Sequence, residues 1–121
     1  KETDLYPPLK DFLTQQGYEV KGEVRHCDVI AVRADGSVLV IELKLSLNMT
    51  VVLQAINRLQ ISDTVYIGVP KGIAILKNQR KKIIKLLRML GLGLLVIDPD
   101  ATLGSVDVLC DPGEYKPAII Y

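Results

Sequence analysis

Two apolar segments joined by a short turn constrain this chain more than any other feature in it. Cys27-Asp28-Val29-Ile30-Ala31-Val32-Arg33 and Ser37-Val38-Leu39-Val40-Ile41-Glu42-Leu43-Lys44 flank Ala34-Asp35-Gly36 and are dominated by β-prone residues. Near-continuous apolar runs of this kind read as strands buried on both faces, here a β-hairpin. Three charges interrupt them: Asp28 near the start, then Glu42 and Lys44 at the end. A buried charge costs on the order of several kcal/mol unless it is paired or binds a metal. The triplet therefore asks for a chemical reason.

The turn decides whether the charges meet. A two-residue turn at Asp35-Gly36 would pair Ala34 with Ser37 and set Asp28 opposite Leu43, on a different face from Glu42. A three-residue loop, Ala34-Asp35-Gly36, with Gly36 left-handed in the bulge position, pairs Arg33 with Ser37 and Asp28 with Glu42. We favour the bulged register. Lys44 then shares the face of Glu42, because strand side chains repeat every second residue.

In that geometry two carboxylates converge beside an ammonium. Carboxylates alone repel and raise one another's pKa, whereas a divalent cation reverses that penalty. Hard oxygen ligands suit Mg²⁺ or Mn²⁺, which keep several waters and accept a substrate phosphate. Such an ion activates water and offsets charge on phosphorus, and Lys44, stabilised by Glu42, would orient the water or contact the phosphate.

The remaining pattern supplies a frame for this hairpin. Leu5, Leu9, Phe12 and Leu13 recur at helical spacing, predicting a first helix over residues 4–16 stopped by Gly17, with Pro7 and Pro8 in its first turn. Residues 18–24 alternate as a strand. Met49, Val52, Leu53, Ile56 and Leu59 mark a second helix capped by Asn48 or Thr50. Strands are predicted at 64–69, 94–97 and, as an edge, 105–109, with a third helix over 75–90. The order αβββαβαβ indicates an α/β fold in one domain, residues 1–121, with a mixed central sheet flanked by helices on both faces.

Composition narrows the partners. With 49% apolar residues the chain is not disordered, and no apolar run reaches the ~18 residues of a membrane span. No signal peptide opens the sequence, and Cys27 and Cys110 form no CxxC, so two buried thiols in a reducing cytoplasm are expected. Net charge is only +1, but Lys77, Arg80, Lys81, Lys82, Lys85 and Arg88 cluster on the third helix. They read as a solvated face, or as a phosphate-holding surface if they border the site. Absence of Trp and a single Phe argue against stacking platforms for single strands. His26 reads as a turn residue rather than a general base.

The spacing D-x₁₃-E-x-K across a hairpin, at Asp28, Glu42 and Lys44, resembles the PD-(D/E)XK, restriction-endonuclease-like phosphodiesterase superfamily. The likeness covers residues 2–70, most of the αβββαβ core that the superfamily shares. The opening Glu2-Thr3-Asp4-Leu5-Tyr6-Pro7-Pro8-Leu9-Lys10 also resembles a bacterial family of uncharacterised nuclease-like proteins within it. Cys27 stands where many members carry Pro. The resemblance implies a Mg²⁺- or Mn²⁺-dependent nuclease acting on nucleic acid, DNA before RNA. Asp28, Glu42 and the backbone carbonyl of Leu43 would hold the metal, with Lys44 and Gln54 as further catalytic residues. Glu2 matches an acid that some members use for a metal, and Arg58, four residues after Gln54, is the least specific match.

Other readings stand beside it. The triplet could be a structural Glu42–Lys44 ion pair with Asp28 solvated. The fold could be a catalytically inactive module that binds nucleic acid or a protein partner, or a scaffold for a homodimer.

Overall fold

The hairpin adopts the bulged register. In the computed structural model, which describes residues 1–24, 27–101 and 105–113 (without the side chains of 23, 24 and 27), Val29 pairs with Ile41, Ile30 with Val40 and Val32 with Val38. The turn carries the hydrogen bonds this register needs: Gly36 N–H to Arg33 O at 3.0 Å and Arg33 N–H to Ser37 O at 3.0 Å. Gly36 has φ +90°, a left-handed conformation that a Cβ would strain. The Asp35 carboxylate accepts from Ser37 N–H at 2.9 Å and closes the turn; hydrogen bonding from the Ser37 hydroxyl first, and then from this backbone N–H, holds its carboxyl below the usual range. Arg33 is drawn away from the opposite end of the hairpin, lying over the Tyr18 ring at 4.3 Å and donating to Gln16 O.

The chain opens with a 3-10 turn, Glu2–Leu5, that runs into helix α1, Tyr6–Gln15. Strands β1 (Glu19–Val24), β2 (Cys27–Val32) and β3 (Val38–Leu43) follow, then α2 (Met49–Arg58), β4 (Val65–Pro70), α3 (Ala74–Met89), β5 (Gly93–Ile97) and β6 (Val106–Cys110). The six strands form one sheet in chain order. β1, β2 and β3 are antiparallel, β3, β4 and β5 are parallel, and β6 returns antiparallel along an edge. The sheet is therefore mixed, and the C-terminal ends of its three parallel strands lie at one end.

Alternation distributes side chains between two cores. Val29, Ala31, Leu39, Ile41 and Leu43 pack with Leu5, Leu9 and Leu13 on the α1 face. Ile30, Val40, Val65, Ile67 and Leu94 pack with Val51, Val52, Ala55 and Leu87 on the α2/α3 face. Each such side chain contributes roughly 1.5–3 kcal/mol by leaving water, so a register slip would misplace a whole row. α2 starts where Asn48 accepts from Val51 N–H at 3.0 Å, satisfying an amide the helix leaves unpaired. α1 begins only at Tyr6, two residues later than the periodicity predicts. Pro7 and Pro8 occupy its first turn and Leu5 remains in the core.

Cys110 is buried with a free thiol, pushed up by burial. His26 and the Cys27 side chain lie outside the described residues. Among the described residues no helix is long and apolar enough to cross a membrane.

Candidate active site

Faces follow from the register. Since Val29 and Leu43 point to α1, their neighbours Asp28 and Glu42 point to the α2 face, at the end where β2 begins and β3 finishes. Asp28 is fixed by accepting Leu43 N–H through Oδ2 at 2.8 Å. Glu42 is the only buried polar or charged side chain among the described residues, with 2% exposure. Burial raises its pKa first, and the charge of the nearby Asp28 carboxylate raises it further. The two acids are thus brought together as the register requires.

Lys44 does not neutralise them. Arg58 does, its Nε donating to Glu42 Oε1 in an ion pair whose side chains are 20% and 3% exposed. The guanidinium opposes the effects of burial and of Asp28 by hydrogen bond and charge, pulling the Glu42 pKa down without cancelling the rise. Lys44 follows β3 directly, its backbone N–H still bonded to Gly68 O at 2.9 Å, so alternation carries it toward the Glu42 face. Its side chain is half-buried and, among the described residues, within ion-pair distance of no acid. The expected Glu42–Lys44 contact is therefore replaced by Glu42–Arg58. The reason is reach: two residues apart on one strand, Glu42 and Lys44 run side by side, whereas a helix packed above the strand aims a guanidinium straight at the carboxylate.

Arg58 carried a readable signal. Val51, Ala55 and Arg58 stand at i, i+4 and i+7, so Arg58 continues the inward stripe of α2. A cation in core phase needs a buried acid, and Glu42 is that acid. Gln54 lies one turn earlier on the same side as Arg58 and is half-buried.

Glu2 belongs to the neighbourhood as well. A cleft of about 520 Å³ is lined by Glu2, Thr3, Tyr6, Gly22, Asp28 and Leu43. The 3-10 turn thus brings Glu2 to the same opening as Asp28 and the β3 end. Glu2 itself is exposed.

The donor chemistry suits a hard cation. Mg²⁺ typically takes one or two carboxylates and fills its remaining positions with water and substrate oxygens. Asp28, which lines the open cleft, and Glu42, buried on the α2 face, supply that pair, and Leu43 offers a backbone oxygen at the same strand end. Among the described residues no group of three or more His, Cys, Asp or Glu side chains converges, so the set is a carboxylate pair rather than a closed protein cage. A metal there would compete with Arg58 for Glu42. Scans against protein-family models, curated proteins and solved structures each return no match to this chain.

Proposed function

We propose that the chain is a divalent-metal-dependent phosphodiesterase that hydrolyses nucleic acid, DNA in the first instance. The observation that carries this reading is the bulged register, which sets Asp28, at the mouth of an open cleft, opposite the buried Glu42. Asp28, Glu42 and the Leu43 carbonyl would hold Mg²⁺ or Mn²⁺, and the ion would supply Lewis acidity toward a phosphate and its attacking water.

The chain's own residues do the rest. Asp28 is held in one orientation by the Leu43 amide, so it enters the reaction already positioned. Arg58 favours the ionised form of Glu42, the form a cation requires. Lys44, on the same face, orients the water or donates to the phosphate as charge builds there. Gln54, one turn from Arg58, supports substrate or lysine, and Glu2 adds a carboxylate at the rim of the cleft. Attack proceeds in line with the leaving oxygen.

A second reading rests on Arg58. Its pair with Glu42 satisfies the buried acid without a metal, as a nuclease-fold module that binds without turnover would need. Plasmid and single-stranded DNA incubated with Mn²⁺ separate the two. Cleavage by wild type that is lost in Asp28→Ala and Lys44→Ala supports the enzyme. No cleavage by wild type, or undiminished cleavage by both variants, overturns it.

A further inference from the structure

Helix α3 carries six Lys or Arg side chains and no Asp or Glu. All six, Lys77, Arg80, Lys81, Lys82, Lys85 and Arg88, are exposed. Among the described residues none of them is within ion-pair distance of an acid. The whole chain has a net charge of only +1, so this face is a local concentration rather than a general property of the surface. Like charges this close repel one another and gain nothing for the fold by clustering.

The surface is also shaped. A cleft of about 700 Å³ is lined by Lys71, Lys77 and Arg80 together with apolar residues and Asp107. A second concavity of about 340 Å³ is bounded by Lys81, Ile84, Lys85 and Arg88. Lys81, Lys85 and Arg88 recur at intervals of four and three, which makes a stripe along one side of the helix. The helix is kinked at Gln79 (φ −137°, ψ 33°), so the regular stripe runs from Lys81 to Arg88, roughly 10 Å at 1.5 Å per residue, with Lys77 before the kink. β3, β4 and β5 are parallel, so Lys71, just past β4, stands at the same end of the sheet as Glu42 and Lys44.

Two properties select the ligand. Most of the apolar face of α3 (Leu76, Ile83, Ile84, Leu87) is committed to the sheet, so the helix presents six charges against only two exposed apolar side chains, Leu86 and Met89, too few for an insertable apolar face. That favours a phosphodiester polyanion over a membrane surface. Among the described residues no aromatic side chain lines either concavity, so unpaired bases find nothing there to stack on. We infer that α3 and the Lys71 cleft form a track for the phosphate backbone of double-stranded nucleic acid, bound without reading sequence. As the identity of the substrate for Asp28 and Glu42, this rests on the reading above; as a binding surface it stands on the charges of α3.

The test is fluorescence anisotropy with a short labelled DNA duplex in EDTA, so that binding is measured apart from catalysis. With four phosphates neutralised, wild-type affinity should fall about a hundredfold between roughly 50 and 200 mM NaCl. Lys81→Glu/Lys85→Glu should bind roughly tenfold or more weakly and flatten the logarithmic salt slope by about 2. Lys10→Glu/Lys21→Glu, the same charge change at exposed positions on α1 and β1, should leave affinity within about twofold, since no phosphate contact is lost. The track is overturned if both double variants lose affinity equally, if the matched single strand binds as tightly as the duplex, or if wild type binds phosphatidylserine vesicles and not DNA. Duplex binding without Mn²⁺-dependent cleavage would sink the active-site reading alone. Cleavage with no loss of affinity in Lys81→Glu/Lys85→Glu would sink the track alone.

Discussion

Replacing Arg58 by Met keeps the length of the side chain and removes the partner of a buried carboxylate. Breaking a buried ion pair by deleting one member costs roughly 3–5 kcal/mol, because the remaining charge is left in a poorly solvated place. Arg58 is 20% exposed and water reaches part of the pair, so the lower end applies, about 3 kcal/mol at neutral pH. For a domain of this size that is roughly 10 °C in Tm. The pH dependence is the sharper consequence. Glu42 in the folded protein is already raised above its ordinary value of 4.5, by burial first and then by Asp28. A carboxyl raised on folding favours the native state below the unfolded value and loses that contribution as pH climbs through the folded value. Removing Arg58 deletes the influences that hold Glu42 down, so the folded value moves further up and the window widens toward neutrality. Urea unfolding followed by circular dichroism should therefore show the deficit of Arg58→Met, about 3 kcal/mol near pH 7, shrinking toward pH 5 by no more than the roughly 1.36 kcal/mol per unit that one proton allows. Adding Glu42→Gln should relieve most of the loss. A deficit equal at both pH values and additive with Glu42→Gln would refute the buried-pair argument.

Substitutions at two glycines test the frame that positions the site. Gly36→Val should destabilise by about 1–3 kcal/mol and Gly36→Asn by clearly less, because nothing crowds that position and only its φ of +90° resists a side chain. Equal losses in chemical denaturation would show that the left-handed turn does not set the register. Gly93→Ala should cost about 1–3 kcal/mol, since its Cβ would fall against the Tyr66 ring and 2.8 Å from Pro112 Cδ. That ring is also tied by the hydrogen bond from its hydroxyl to Asp111 at 2.6 Å. A neutral Gly93→Ala in thermal melts would contradict this packing.

Much of the architecture was legible because each element carries its own period. The hairpin register followed from one glycine: Ala34-Asp35-Gly36 closes as a three-residue turn, and every face assignment in β2 and β3 descends from that choice. The convergence of Asp28 and Glu42 was legible for the same reason. The Arg58 contact was not, because a helix–strand contact depends on how α2 sits over the sheet, and the periodicity of neither element records that. The inward phase shared by Val51, Ala55 and Arg58 was the available signal, outweighed by the nearness of Lys44 to Glu42 in sequence. Glu2 was hard to orient for a local reason. Pro7 and Pro8 open α1, and the residues before them wind as a 3-10 turn whose phase a 3.6-residue period does not describe.

The central claim is that Asp28 and Glu42 form a cation site at the end of the hairpin. Calorimetric titration of Mn²⁺ into wild type and into Asp28→Ala tests it most directly. The account predicts saturable binding near one ion per chain in wild type, competing with Arg58 for Glu42, and its loss in Asp28→Ala. No heat in wild type, or the same isotherm in both proteins, would contradict it.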